Sequence, residues 1–320
     1  MAKHGKVKKY SKQHFVAKCY TKSWCDPESA NNPKLEPFIW QFDRNGNNER
    51  AKSPVKLFTE TDIYTLPLPD GGRDLTLEHG FQQLENMFAR VRKLRIEKRK
   101  PISAEDATTL HFFVATAHAR TAAYRDHHRA QFARLREKVE ALSKDFADAT
   151  EEQKVNMRRI PNIAIERGQS ISLDNIKMME DFPIQQMLAP TLRAVLPIYE
   201  GMSMAILCTN DDIGFITSDN PVTWFDPEGY KRHPLHRSPG LAMKDIEVTL
   251  PLTPHHCLLF THKNNFQGYI DISTDTLDQL NHRHVQHCHE IFISRRSSVK
   301  DIWFQPIEVP EDAWERRFPS

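Results

Sequence analysis

His14, Glu78, Glu85, Arg120, Asp219 and Asn220 are the side chains whose types and surroundings could carry chemistry. Glu78 and Glu85 sit among Leu77, Phe81, Leu84, Phe88 and Val91, an apolar stripe at helical spacing. Two helical turns separate the carboxylates, so both project on one side, near the edge of the stripe, where they can face a cleft. Arg120 stands beside Phe113 on the flank of a second stripe built from Leu110, Phe113, Val114, Ala117, Thr121 and Tyr124. Asp219 and Asn220 interrupt the apolar run from Gly214 to Phe225 as Ser218-Asp219-Asn220-Pro221. Such residues at the end of a core strand suit either a turn or one wall of a polar site. Glu78, Glu85 and Asp219 offer the hard oxygen ligands that a divalent cation, magnesium or manganese, prefers. That ion would polarise a phosphoryl oxygen and activate water. His14 would then transfer a proton, and Arg120 would steady charge in the transition state.

Two further constellations compete. Arg120 and His127 are seven residues apart and would share a face of one long helix. This R-x6-H spacing resembles the motif of the HEPN family of RNases, in which the Arg orients phosphate and the His moves a proton. His282, His284, His287 and His289 crowd into NHRHVQHCHE. Only His284 and His287 have the helical spacing that chelates a metal, so an exposed, histidine-rich helix end is expected there. There is no phosphate-binding GxxxxGK[ST] loop, no GxGxxG after a strand, no GxSxG elbow and no HExxH.

Composition narrows the class. The 320 residues include 39% hydrophobic and 27% charged residues, ordinary for a soluble chain with a sizeable core. No apolar run approaches the ~18 residues of a membrane span. The N-terminal stretch MAKHGKVKKYSKQH is basic and lacks an apolar segment of the kind that directs secretion, which argues for the cytoplasm. Five scattered cysteines without a CxxC fit reduced thiols. Net charge is only +2, but Lys3, Lys6, Lys8, Lys9 and Lys12 form a basic arm, and a second cluster runs from Arg90 to Lys100. Either could meet the phosphates of a nucleic acid. The plainer account is a solvated tail, and cations at a helix C-terminus.

The elements that must hold these groups follow a strand, helix, strand order. Phe38–Phe42 reads as a strand, and residues 76–100 and 103–147 as long helices, the second opening on Ser103-Ala104-Glu105-Asp106, a capping-box-like start. Residues 172–196 read as helix broken by Pro183 and Pro190. Strands are expected at 203–208, 214–217, 222–225, 246–250, 256–261 and 291–294, with a helix at 274–287. This is not alternating βαβ, so an α+β fold is expected. N- and C-terminal strands would share one mixed sheet in a single domain, with residues 76–200 as a helical region and 203–295 mainly sheet.

Several ordered pieces together resemble the domain-of-unknown-function family 4238 (DUF4238), found mostly in bacteria. Gln13-His14-Phe15-Val16-Ala17-Lys18-Cys19-Tyr20 is similar to its QHYVP-x-x-Y opening, with Ala17 in place of the proline. Asp62-Ile63-Tyr64 resembles its D-x-Y piece, Leu77-Glu78 through Leu84-Glu85 its paired-glutamate helix, and His118-Ala119-Arg120-Thr121 its Q-x-x-R-T segment. Phe215 through Val222 is similar to its most specific signature, Leu250 through Pro254 to its PL-[ST]-P strand, and Asn281 to the Asn of its last helix. The resemblance implies no reaction. It does raise His14, Glu78, Glu85, Arg120, Asp219 and Asn220 over His127 and the histidine-rich run.

The function expected from these residues is a metal-dependent nuclease or phosphodiesterase acting on nucleic acid. One alternative is a non-catalytic binder of nucleic acid or another ligand, in which the same residues form a buried polar network. The other is a metal-independent RNase using Arg120 and His127.

Overall fold

The frame of the fold is set by two sheets. In the computed structural model, residues 12–306 are described apart from 69, 71, 159–170, 234 and 236. Strands β1 (Lys12–His14), β2 (Ile39–Asp43), β3 (Arg50–Lys52), β4 (Thr59–Thr61), β5 (Leu66–Pro67) and β6 (Arg73–Asp74) belong to the N-terminal part, together with the short helices α1 (Lys18–Thr21) and α2 (Pro27–Asn31). Helices α3 (Thr76–Leu94), α4 (Ala104–Ala119), α5 (Ala122–Asp148), α6 (Glu151–Arg158), α7 (Leu173–Asp181) and α8 (Pro183–Glu200) follow. The C-terminal part holds β7 (Ser203–Cys208), β8 (Thr217–Ser218), β9 (Thr223–Phe225), β10 (Glu247–Thr253), β11 (His256–Thr261), β12 (Gly268–Asp271), helix α9 (Thr274–His287) and β13 (Ile291–Ser294).

The fold is α+β, as its element order predicts. The N- and C-terminal strands do share a sheet, in the order β3-β2-β13-β8, but a second sheet, β12-β7-β11-β10-β9, is separate from it. The single mixed sheet expected from the sequence is therefore two larger sheets plus the small pairs β1–β4 and β5–β6. No helix among the described residues is long and apolar enough to cross a membrane.

Helical periodicity explains the packing above the five-stranded sheet. Helix α3 buries Phe81, Phe88 and Val91, and α4 buries Leu110, Phe113, Val114 and Ala117. Phe88 and Phe113 stack with ring centroids 3.7 Å apart, the seam between the two helices. Tyr20 and Trp24, from the short N-terminal helices, fill the space beside them. Their polar ends are satisfied on β8 and the chain entering it: Tyr20 Oη and Thr217 Oγ1 lie 2.6 Å apart, and Trp24 Nε1 donates to the Phe215 carbonyl at 2.7 Å.

Two local expectations change. Residues 103–147 do not form one helix. Ser103 and Asp106 form the reciprocal capping box of α4, but α4 ends at Arg120, whose φ of −112° and ψ of 5° leave the helix. Thr121 starts α5 afresh, its hydroxyl accepting from the Tyr124 N–H. Pro183 does begin a new helix, but Pro190 and Pro197 lie inside α8.

Candidate active site

Helix α3 carries Glu78 and Glu85 on its cleft side, as their spacing predicts, and the break after α4 turns Arg120 towards them. Arg120 Nη1 donates to Glu85 Oε1 at 2.9 Å. The Arg120 guanidinium also lies over the Phe81 ring, 5.0 Å from its centroid, and its side chain is almost wholly buried. The N-terminal strand supplies the third wall. Gln13 Nε2 donates to Thr65 Oγ1, and its Oε1 accepts the Tyr64 N–H at 2.9 Å. The Tyr64 hydroxyl, thus placed, is within donating distance of the His14 carbonyl (3.2 Å) and of the Arg120 carbonyl (3.3 Å). Pieces resembling three separate family motifs therefore meet at one tyrosine.

His14, Glu78, Glu85 and Arg120 line one cleft of about 410 Å³. Lys18, Lys22 and Arg92 line it too, with Gln82 and Asn86 as neutral donors and acceptors. Lys18 and Lys22, one helical turn apart, make no ion pair among the described residues. Arg92 Nη1 is held by the Cys19 carbonyl (2.8 Å) and Ser23 Oγ (2.7 Å). Four permanent cations against two carboxylates give the cleft a positive balance, suited to an anionic ligand.

The acid–base groups are shifted in complementary directions. Burial, then the neighbouring Glu85 carboxylate, raises Glu78 above the ordinary carboxyl value. Burial, then the Lys18 ammonium, lowers His14 below the ordinary imidazole value, against the opposite pull of Pro54, Glu85 and Val55. Nε2 of His14 is buried without a hydrogen-bond partner, so one ring nitrogen is uncommitted. Cys19 borders the cleft, but burial pushes its thiol up to about 11, and Sγ points at the Glu85 carbonyl (3.7 Å). It is no thiolate nucleophile.

Asp219 and Asn220 do not join this constellation. Asp219 Oδ1 accepts from the His289 N–H (2.9 Å), and Oδ2 accepts from the Glu290 (2.7 Å) and Ile291 (3.0 Å) N–H groups. The carboxylate thus clamps the turn between α9 and β13, and neither residue lines the cleft. Asn220 Nδ2 donates to the His287 carbonyl at 3.2 Å, closing the same turn. The divalent cation expected on Glu78, Glu85 and Asp219 does not fit these positions. Two carboxylates remain in the cleft, one of them paired with Arg120, and no group of three His, Cys, Asp or Glu among the described residues is arranged to hold a metal.

The other constellations dissolve as well. His127 is exposed on α5 and hydrogen-bonds Gln131, while Arg120 is buried beyond the helix break, so the two do not share a helix face. His282 and His284 are buried, contrary to an exposed helix end: His282 Nδ1 bonds the Trp303 carbonyl, and His284 lies between Thr223 and Thr249. In the Arg90–Lys100 cluster, Arg92, Arg95 and Arg99 pair with Glu97, Asp106 and Asp271. The basic arm before Lys12 lies outside the described residues.

Lys18, Lys22, Tyr64, Gln82 and Asn86 are cleft residues that residue-type reasoning did not single out. The one available signal was the four-residue spacing of Lys18 and Lys22, which matters only once a helical turn is assigned there.

The comparisons with known proteins agree with the motif reading. No curated protein and no solved structure matches the chain. The family described as "protein of unknown function (DUF4238)" matches residues 12–298. That span takes in the Gln13–Tyr64–Arg120 junction, the paired glutamates, the Asp219 clamp and Asn281, and the chain belongs to the DUF4238 family.

Proposed function

We propose that the chain is a hydrolase that cleaves a phosphodiester, with nucleic acid as substrate, by acid–base catalysis in the α3–α4 cleft. The observation that carries this reading is the convergence of His14 and Glu78, shifted in opposite directions, on a cleft bordered by Lys18, Lys22, Arg92 and Arg120. A neutral His14 accepts a proton from water as it attacks phosphorus, and a protonated Glu78 donates one to the departing oxygen. Lys18, Lys22 and Arg120 stabilise the charge that builds on the non-bridging oxygens. Glu85 holds Arg120 in position. No metal enters this sequence of steps.

The test is a cleavage time course with labelled single- and double-stranded DNA and RNA, run with magnesium, with manganese and with EDTA. Cutting that persists in EDTA and drops by ~10²-fold or more in His14→Gln and in Glu78→Gln supports the reading. Cutting that EDTA abolishes, or that both variants retain, overturns it. The non-catalytic alternative is distinguished by the same assay: it requires retention of nucleic acid without product.

A further inference from the structure

Strand β9 and helix α9 border a groove away from the α3–α4 cleft. Its main basin has a volume of about 560 Å³, and a side pocket of about 160 Å³ adjoins it, with Phe225, His282 and Arg283 lining both. Together they have the size of a site for a small organic ligand. No residue lining either part lines the cleft.

The polar groups of the groove are held in place by the fold. The Arg283 guanidinium lies over the Phe225 ring, 3.8 Å from its centroid, and Nη1 donates to Glu247 Oε2 at 2.7 Å. His282 is only 7% exposed, and its Nδ1 donates to the Trp303 carbonyl at 2.9 Å. A carbonyl only accepts, so in the neutral ring Nδ1 carries the hydrogen and Nε2 is left as an acceptor. Nε2 of His282 has no partner among the described residues, yet it is not shut off from solvent as Nε2 of His14 and of His287 is, so it faces the groove. Gln279 and Gln286, about one turn to either side on α9, are exposed, and their amides make no hydrogen bond among the described residues.

These groups select the occupant. A guanidinium braced on an aromatic ring is a platform for a planar base, and base edges are read by side-chain amides beside such platforms. The His282 acceptor calls for a donor on that edge, which the exocyclic amino group of adenine supplies. Charge argues against a phosphate. Glu247 already pairs with Arg283 and Asp278 with Lys300, at 2.7 Å and 2.9 Å, while Asp275 makes no ion pair among the described residues. An anion would meet that carboxylate uncompensated.

We propose that the β9–α9 groove binds an uncharged adenine nucleoside. The purine stacks on the Arg283 guanidinium, its amino group donates to His282 Nε2, and the Gln279 amide reads the same edge. Asp275, two helical turns or about 10 Å before His282, accepts from the ribose hydroxyls. The site does not depend on the chemistry proposed for the cleft.

The test is isothermal titration calorimetry of the full chain with adenosine, inosine and AMP, each to several millimolar. Adenosine is expected to bind saturably at one site. Inosine, whose 6-oxo group sets an acceptor against His282 Nε2, is expected to bind about tenfold more weakly or worse. AMP is expected to bind about fivefold more weakly or worse. Arg283→Lys keeps a cation for Glu247 but loses the stacking plane, and should weaken adenosine about tenfold with an unchanged far-UV circular dichroism spectrum. Gln279→Ala, at an exposed position, should weaken it about threefold or more, and His14→Gln, in the cleft, should leave it unchanged. The proposal is overturned by the absence of saturable adenosine binding, by inosine or AMP binding as tightly as adenosine, or by an affinity that both groove variants retain. Adenosine binding lost in His14→Gln would place the nucleoside in the cleft and overturn it equally.

Discussion

Glu85 Oε1 and Arg120 Nη1 meet at 2.9 Å across thirty-five residues of chain, and both line the cleft, the glutamate with the more exposed side chain. The arginine is the more buried partner, so its charge depends on Glu85 for compensation. Glu85→Gln is expected to destabilise the fold by about 1–3 kcal/mol, and Arg120→Ala by about 3–5 kcal/mol, in urea denaturation. Arg120→Lys is not expected to recover the loss, because an ammonium can neither spread over Phe81 nor keep the fork geometry. Wild-type stability in Arg120→Ala would contradict this assignment of the pair.

Asp219 is assigned to folding rather than to chemistry. Its two oxygens satisfy three backbone N–H groups at the start of β13. Asp219→Ala leaves those donors without a partner, and a loss of about 2–4 kcal/mol is expected. Any cleavage activity, corrected for the folded fraction, should be unchanged. A variant that folds normally but has lost its activity would return Asp219 to the site.

Gly214 sets the entry to the same segment. Its φ is +69°, and a Cβ there would stand 2.0 Å from the Pro254 carbonyl oxygen. Phe215 N–H donates to that carbonyl at 2.7 Å, and Asn281 brackets the stretch by donating to the Gly214 carbonyl and accepting from Ile216 N–H. Gly214→Ala is expected to unfold the chain or to lower its thermal midpoint by many degrees, while Gly80→Ala, on open helix surface, should be neutral or slightly stabilising. Equal midpoints for the two variants would rule out this reading of the close approach.

The paired glutamates, the flank position of Arg120, the α+β order and the strands from β7 onward, β12 excepted, were legible because period and residue type both act locally. Asp219 was not. A carboxylate at a strand end looks the same in sequence whether its oxygens meet a metal or three N–H groups from a turn seventy residues away. Arg120 and His127 misled for a related reason: the helix stops between them through one hydroxyl cap at Thr121, a signal weaker than the apolar stripe that runs across it. The share of the cleft made by Lys18 and Lys22 was hidden in a helical turn too short to show a period.

Buried histidines make acid stability a sharp observable. Burial is the main cause that lowers His118 and His256 to about 4 and His284 to about 3, from 6.5. All three stay neutral in the folded chain, while the unfolded chain binds protons as pH falls through 6.5. The unfolded state then holds more protons, so stability rises with pH in this window. The stability linked to these groups is complete above pH 6.5, declines below it, and levels off beneath the folded values. Unfolding free energy should drop between pH 6.5 and 4.5 by as much as about 3 kcal/mol per pH unit from His118 and His284, with a smaller share from the partly exposed His256. His118→Gln should flatten the slope. A flat profile across that range would mean that these rings protonate within the fold.

The rate profile should carry the signature of the cleft. The productive form has neutral His14 and protonated Glu78, and both shifts enlarge its population: His14 is lowered from 6.5 and Glu78 raised from 4.5. Below the His14 value the base is protonated and the rate falls. Above the Glu78 value the acid is ionised and the rate falls again. A bell-shaped pH profile is therefore expected for kcat/KM, with an optimum set by His14 and Glu78 together. Lys18→Met removes the charge that helps to hold His14 down, so it should move the pH optimum upward as well as weaken substrate binding. A structural role for Lys18 would change stability and leave the optimum where it was, so an optimum that does not move in Lys18→Met would remove His14 from the role of base.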